Sequence, residues 1–409
     1  MGKGVKVMVN QAKKDNYKWP EHFTLAVLMA PGLEVANVGK AWTPLLAKDT
    51  GMQVHLAHTT DKVNKFKWLH LGIADMADGG QHEVSRVLEG DRRYGVIEYC
   101  GQNFGRRAVV YGNRDCGAFP FQAVWVHSKY DSGFMVRGDS KIKDVYDIKP
   151  GIRVVDMRPY LASQRNIEGL FAWAKIDEKD VVWVPAHNTE EKVRLVVEGK
   201  ADIAWVIPSA PSTYEAEKNP HGIRWIDLNS DKDPEGAKRF REKYLLIGFG
   251  PMIRGVASAR GHWGTVGTDL FCCHANADAE FIYHLAKWMD ENYPRYKDLH
   301  YWLPAMSRQN LMEELDTTFI PCHEGLIKYL KELGLWTPEH EKRNRQNAEL
   351  VDRYCQATEE AHRLADEKGI IVAAENQTWV DLWEDYKKKL DLPVCDILPS
   401  LHKGRPESK

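Results

Sequence analysis

The sequence predicts an α/β fold built as two successive units joined by a crossover. Short apolar segments alternate with amphipathic or charged segments from residue 23 onward, as strands and helices alternate in a mainly parallel sheet. The alternation stops after residue 90, where two strand-like segments follow each other without a helix, and it restarts at residue 152. A chain of 409 residues is also too long for one ordinary core.

The composition is that of a globular protein, with 43% hydrophobic and 28% charged residues. A net charge of −2 supplies no basic field for nucleic acid or acidic lipid. No apolar run approaches the ~20 residues that cross a bilayer. The first six residues lack the apolar core of a signal peptide, so we expect either a cytoplasmic protein or a form from which the leader has been removed.

The seven cysteines do not suggest a disulfide framework, and their odd number leaves at least one thiol without an intrachain partner. Cys272 and Cys273 are adjacent, and neighbours on a strand point to opposite faces. We therefore expect structural thiols rather than a metal site, and no cofactor. The 14 tryptophans indicate a large core or an aromatic-lined cavity.

The first unit follows a loose N-terminal arm, residues 1–22. Buried strands are predicted at 23–29, 52–57 and 71–76, with helices at 38–48, at 59–68 and through 84–88. Connections this short predict a right-handed parallel unit.

The second unit begins beyond two consecutive strands, at 109–111 and 122–127. Further strands are predicted at 152–156, 181–184, 203–207, 223–227 and 269–274, and helices at 140–148, 163–175, 189–197, 231–244 and 276–292. Polar helices at 339–368 and 379–390 then suggest a surface layer or a pairing surface between two chains.

Ligands in such sheets collect at the carboxyl ends of strands. From the first unit the candidates are Glu34, Asn37 and Trp42, and from the loop after the third strand Asp78 and Gly79. Asn37 is suited to bind a ligand carboxylate, or is an ordinary helix N-cap. Glu34 would attract an amine, or is a solvated loop acid.

From the second unit, Arg158 stands directly after a strand and could grip a carboxylate with two hydrogen bonds, or extend into solvent. Tyr160 and Ser163 begin the next helix, where free backbone N–H groups favour an anion. Ser209 has the same place after the strand at 203–207, and serves as an N-cap with or without a ligand.

Aromatic side chains could wall the site, namely Trp125, Trp205 and Phe249, although core packing is the alternative for each. The sequence contains no Gly-x-Ser-x-Gly elbow, no His-Glu-x-x-His and no phosphate loop.

Five segments between residues 23 and 337 carry a family resemblance. They are 142–151 (an "Ile-x-x-Val-x-Asp" entry), 197–204 (a "Gly-x-x-Asp" step), 265–278, 281–292, and 320–335 with its Pro-Cys-His-x-Gly and Tyr-x-x-Glu-x-Gly-type pattern. In this order they resemble the TAXI group of substrate-binding proteins of TRAP (tripartite ATP-independent periplasmic) transporters.

The resemblance implies a two-lobed periplasmic binding protein, type II-like, with hinge motion at two crossover strands. Lobe I would comprise 23–122 and 254–337, lobe II 123–253, and a C-terminal helical extension 338–409. Such a protein captures a small organic acid or related anion in the periplasm, delivers it to TRAP membrane subunits, and is not an enzyme. The loops at 31–38 and 158–163 differ from the family's ligand loops.

Two other functions remain open from the sequence. One is an enzyme on the same scaffold, similar to pyrimidine-precursor synthases, which would need a cofactor-bound lysine or a metal cluster in the cleft. The other is a cytoplasmic ligand sensor. The C-terminal helix also leaves a homodimer possible.

Overall fold

The computed structural model describes residues 17–28, 35–59, 62–90, 114, 117–156, 161–373 and 376–401. The strands are β1 (His22–Leu28), β2 (Gln53–Thr59), β3 (Met76–Gly80), β4 (Phe121–Arg137), β5 (Arg153–Asp156), β6 (Val182–Pro185), β7 (Ala204–Val206), β8 (Ile223–Ile226), β9 (Gly248–Pro251) and β10 (Trp263–His274). The helices are α1 (Val35–Thr50), α2 (Lys62–His70), α3 (Gln81–Glu89), α4 (Leu161–Ala174), α5 (Thr189–Val197), α6 (Pro211–Glu217), α7 (Pro234–Arg241), α8 (Ala279–Glu291), α9 (Tyr293–Tyr296), α10 (Arg308–Leu315), α11 (Glu324–Glu332), α12 (Pro338–Glu367) and α13 (Gln377–Lys389).

The first lobe is built on the parallel strands β2, β1 and β3. Strand β1 is apolar almost throughout, because it pairs on both edges and both α1 and α2 pack on it. The core of this lobe extends across β10 and β4 to α8, α10 and α11.

Strands β4 and β10 connect the lobes, and we call them the crossover strands. Both run antiparallel to their neighbours: β10 pairs with β3 at 269–272, whereas its beginning at 263–266 pairs with β9. Strand β4 pairs with β10 as far as Ser132, and its last residues pair with β7 and β8 in the second lobe. The chain therefore passes between the lobes twice within continuous strands.

The second lobe has an apolar cluster on each face of its strands. Phe134 belongs to one cluster and Met135 to the other, and consecutive strand residues point to opposite faces. Strand β5 pairs in parallel with β6, and a bridge from Val154 to Ile203 places β7 beside β5. The predicted α/β fold with two lobes and two crossover strands is confirmed.

The third strand was predicted in the wrong place. The apolar run at 71–75 forms a turn in which Leu71 is 50% and Ile73 56% exposed, and β3 begins only at Met76. Strand β3 contains Asp78, Gly79 and Gly80, which are poor strand formers by propensity. The glycines are required by close packing, since a Cβ on Gly79 would lie 2.4 Å from Phe66 Cζ. Tertiary crowding overrides propensity here.

Other differences are local. The predicted helix at 140–148 is a single 3₁₀ turn, Val145–Asp147, and the predicted strand at 109–111 lies outside the described residues. Of the predicted loose arm, residues 17–22 are packed: Tyr17 stacks on His284 with ring centroids 3.9 Å apart, and β1 already begins at His22. In the part of the chain that the structure describes, no helix is long and apolar enough to span a membrane.

The C-terminal extension packs on the first lobe and touches the second. Helices α12 and α13 bury Trp379 and Trp383 between them. Trp383 Nε1 and Lys387 Nζ both donate to the Glu89 carbonyl at the end of α3, each at 2.9 Å. Beyond α13, Asp396 pairs with Arg241 of α7 at 2.9 Å. Since both partners of that pair are about 40% exposed, it adds little stability.

Candidate functional site

A chain of hydrogen bonds ties the crossover strands to the second lobe. Ser132 Oγ of β4 and Thr265 Oγ1 of β10 lie 2.7 Å apart. Thr265 Oγ1 donates to Asn166 Oδ1 of α4 at 2.9 Å, and Trp205 Nε1 of β7 donates to Ser132 Oγ at 3.2 Å. Ser132, Thr265 and Asn166 are buried, so the polar groups satisfy one another away from water.

Lys192 lies beside this chain and is a buried cation. It occupies the first turn of α5, and its side chain is 3% exposed. Its Nζ lies 5.0 Å from the ring centroid of Trp205. No carboxylate among the described residues lies within ion-pair distance of this ammonium, and burial lowers the pKa of Lys192 to about 7. Thus a group able to bind an anion lies beside β7, near one crossover strand.

The first lobe contributes a carboxyl–amide pair. Gln81, the first residue of α3, donates through Nε2 to Glu314 Oε1 of α10 at 2.5 Å. Burial raises the pKa of Glu314 to about 7. The Gln81 Oε1 atom is buried and accepts no hydrogen bond from the described residues, so it is an acceptor available to a donor on a ligand.

The lobes touch each other near these groups. His82 of α3 meets Tyr244 of the second lobe edge-to-face, with ring centroids 6.1 Å apart. Tyr130 of β4 is half-buried, and desolvation of its hydroxyl raises the pKa of Tyr130. Two surface pockets lie elsewhere: one is lined by Tyr17 and Asp75 at the amino ends of the first-lobe strands, and one lies between α5 and α6. The contact of His82 with Tyr244 therefore joins the two lobes beside the Gln81–Glu314 pair.

Asp78 and Gly79 are not in a loop, as predicted, but within β3. Asp78 Oδ2 pairs with Lys65 Nζ at 2.9 Å, and Glu83 lies 3.7 Å from the same ammonium. All three side chains are at most 5% exposed. These carboxylates raise the pKa of Lys65 against the opposing effect of burial. The cluster joins α2, β3 and α3 and accounts for Asp78 without a ligand.

The candidate ligand residue Trp42 and the candidate wall residue Trp125 both lie in the core of the first lobe. Trp42 is fully buried, with its ring 5.8 Å from Phe271 and 6.2 Å from Trp288. Trp125 is also fully buried and donates to the Met306 carbonyl at 2.9 Å. For Trp125 this is the core packing that the sequence left as the alternative, and for Trp42 it corrects the predicted ligand contact.

Phe249 packs edge-on against two rings of the second-lobe core, Trp173 at 5.4 Å and Phe240 at 5.2 Å. Ser163 is buried in the first turn of α4. Trp205 is half-buried and belongs to the site described above. Among the predicted residues, the structure therefore places Trp205 in direct contact with the polar groups at the crossover.

The predicted caps require correction. Helix α1 begins at Val35, so the exposed Asn37 lies inside its first turn and is not the N-cap. The N-cap of α6 is Ala210 rather than Ser209, because Pro211 at the first helical position favours a start there. Glu34, Arg158 and Tyr160 lie outside the described residues.

Sequence reasoning missed four residues that the structure brings to this region: Asn166, Lys192, Gln81 and Glu314. Lys192 stands in a charged helix that reads as solvent-facing, although the apolar residues Val193 and Val196 beside it mark the buried side. Nothing in the local sequence distinguishes Gln81 or Glu314 from surface residues.

No group of three or more potential metal ligands occurs among the described residues. Cys272, Cys273, Cys322 and Cys395 are buried free thiols, and Cys355 is a half-buried one. Burial raises the pKa of Cys272 to about 12, so this thiol is unreactive at neutral pH.

Comparison with known proteins places the chain in a family. Residues 120–334, more than half of the chain, match the model of the NMT1-like family. The chain belongs to the NMT1-like family. No curated protein sequence matches this NMT1-like chain.

Solved structures similar to this NMT1-like protein include several binding proteins. The malate-bound protein MatC of Rhodopseudomonas palustris is 15% identical with a TM-score of 0.39, covering 84% of this chain and 99% of its own. The periplasmic aliphatic sulphonate binding protein SsuA of Escherichia coli is 11% identical with a TM-score of 0.37, covering 95% and 96%. An R. palustris protein with adipate is 11% identical with a TM-score of 0.40, covering 69% and 88%. At such low similarity they say nothing about this chain's ligand.

Proposed function

We propose that this NMT1-like protein is an extracytoplasmic solute-binding protein that captures a small organic anion between its lobes. One observation carries the proposal: polar side chains of both lobes meet the two strands that connect the lobes. Ser132 and Thr265 belong to the crossover strands and bond to Asn166 and Trp205 of the second lobe. In the first lobe, Glu314 accepts from Gln81 and also bonds to Thr268 of the crossover strand β10.

This arrangement suits capture by closure. Bending of two crossover strands moves the lobes as rigid bodies, and the contact of His82 with Tyr244 would break on opening. A solute would then enter between the lobes and be enclosed when they close. The buried ammonium of Lys192 favours a solute with negative charge.

We further propose that the protein works in the periplasm and delivers its solute to the membrane subunits of a TRAP transporter. The support is the resemblance of residues 142–151 and 320–335 to TAXI segments, and both segments largely lie within the part that matches the NMT1-like family. The test is co-purification with a tagged form of this protein. We expect the membrane subunits to be isolated with it only when the solute is present.

Native mass spectrometry of the purified protein and thermal-shift screening against organic acids test the binding function. We expect either a retained small molecule or stabilisation by at least one acid, because a ligand at 100 times its dissociation constant adds about 2.7 kcal/mol. A folded protein that retains nothing and responds to no acid would contradict the proposal.

A second candidate is an enzyme that uses Lys192 as a nucleophile. A buried lysine with a pKa of about 7 is partly uncharged at neutral pH and is therefore suited to form a Schiff base with a carbonyl compound. The test is the absorption spectrum of the purified protein. An absorption band at longer wavelength than that of the aromatic side chains, which disappears when Lys192 is replaced, would favour this function over simple binding.

A further inference from the structure

The ammonium of Lys192 is unfavourably placed in the ligand-free protein for two independent reasons. First, it is 3% exposed and has no carboxylate partner among the described residues, and a buried charge without a partner is strongly disfavoured. Second, it lies in the first turn of α5, where the helix dipole repels a cation. The Trp205 ring at 5.0 Å compensates only part of this through its π face.

The position of the amine relates it to the closure of the lobes. Helix α5 packs on both β7 and the crossover strand β4. The ring beneath Lys192, that of Trp205, donates to Ser132 of β4. Ser132 in turn contacts Thr265, which donates to Asn166 of α4. Trp205 thus links the ammonium of Lys192 directly to β4, one of the two strands that connect the lobes.

An anion bound at Lys192 would remove the first of these effects, because it would neutralise the buried charge. A carboxylate suits the geometry of a single ammonium, which acts as a point charge with three donors. The apolar remainder of such a solute would have the half-buried Trp205 beside it.

We propose that Lys192 is the residue that recognises the charge of the solute, and that the solute is a small carboxylate with an apolar body lying near Trp205. This inference rests on the proposed binding function and specifies its chemistry. The ammonium of Lys192 lies over the Trp205 ring. Among the described residues that the sequence predicted as ligand contacts, none is a buried cation.

The experiment uses the full chain, freed of retained ligand by unfolding in urea and refolding. Wild type is screened by thermal shift against benzoate, phenylacetate, hexanoate, succinate and glutarate, each paired with its neutral amide. Calorimetry then measures the tightest carboxylate and its amide on wild type, Lys192→Met, Lys192→Gln and the control Lys243→Met, which changes an exposed lysine.

We expect the carboxylate to bind Lys192→Met and Lys192→Gln about 10- to 100-fold more weakly than wild type, the range of one charged hydrogen bond. The amide should bind wild type and both variants equally weakly, and Lys243→Met should match wild type. Circular dichroism establishes that each variant is folded.

Three outcomes would overturn the inference. If the carboxylate binds both Lys192 variants as tightly as wild type, Lys192 does not recognise charge, although the binding function stands. If wild type binds an amide as tightly as its acid, or retains a neutral molecule, the solute class is wrong. If wild type retains nothing and binds no compound, the proposed function fails, and this inference fails with it.

Discussion

Replacing Lys192 with methionine should stabilise the ligand-free protein, and the gain should shrink as the pH rises. Burial lowers the pKa of Lys192 from 10.5 to about 7. Each pKa unit corresponds to about 1.36 kcal/mol. Below pH 7, keeping this ammonium charged in the folded protein therefore costs about 5 kcal/mol relative to the unfolded chain. Methionine has a similar length and carries no charge, so the variant should gain several kcal/mol in free energy of unfolding.

The pH dependence follows from the direction of the shift. Above about pH 7 the folded protein releases the proton, whereas the unfolded chain keeps it up to its pKa of 10.5. Because the unfolded state then binds more protons, the stability of wild type rises with pH over this interval. The advantage of Lys192→Met is consequently largest below pH 7 and disappears as the pH approaches 10.5.

Urea unfolding of wild type and Lys192→Met at about pH 6 and about pH 9 measures this difference. The exposed Lys243→Met variant controls for the general effect of replacing a lysine with methionine. A Lys192→Met protein no more stable than wild type at the lower pH, or a gain of the same size at both pH values, would refute the reasoning that the amine is buried and charged.

Three further changes test other parts of the structure by the free energy of unfolding. Gly79→Ala should destabilise the protein by about 1–3 kcal/mol through overpacking. Gly250→Ala is the control and should change stability less, because its Cβ would lie at an ordinary 3.5 Å from the nearest atom. Equal losses for the two variants would contradict the close packing of β3. Trp383→Ala should cost about 3–5 kcal/mol, because the indole is buried and donates to the Glu89 carbonyl; a loss below 1 kcal/mol would show that α13 does not dock there. Burial raises the pKa of Glu314 from 4.5 to about 7, so wild type loses stability as the pH rises over that interval. Glu314→Gln should therefore stabilise the protein by about 3 kcal/mol above pH 7 and have little effect near pH 4. A gain that does not depend on pH would contradict the raised pKa of Glu314.

Lys192 illustrates a conflict between stability and function. The substitution expected to stabilise the ligand-free protein is the one expected to weaken solute binding. Binding sites commonly retain groups that are unfavourable until the ligand arrives. The two measurements are independent, since one concerns the free energy of unfolding and the other an affinity.

Local sequence was sufficient to predict elements whose pattern reflects their own surroundings. The apolar run of β1 records burial on both faces, and Asp278 with the stripe containing Phe281 and Leu285 predicts the start and buried side of α8. The long polar helix α12 was likewise predicted within one residue at each end. In these segments hydrophobic period and capping depend on nearby residues alone.

Only the tertiary structure decided which polar residues are buried and what they contact. Asp78 appeared to be in a ligand loop, but Lys65, 13 residues away, pairs with it inside the first lobe. Trp42 was a candidate ligand residue and Trp125 a candidate wall residue, but Trp42 packs on Phe271 and Trp125 donates to Met306 in the core. Lys192 was not among the predicted site residues, and only the folded structure places its amine beside the Trp205 ring of β7. The sequence determined the α/β alternation and the crossover because these depend on local periodicity, whereas the candidate site depends on contacts between distant segments, which no local pattern records.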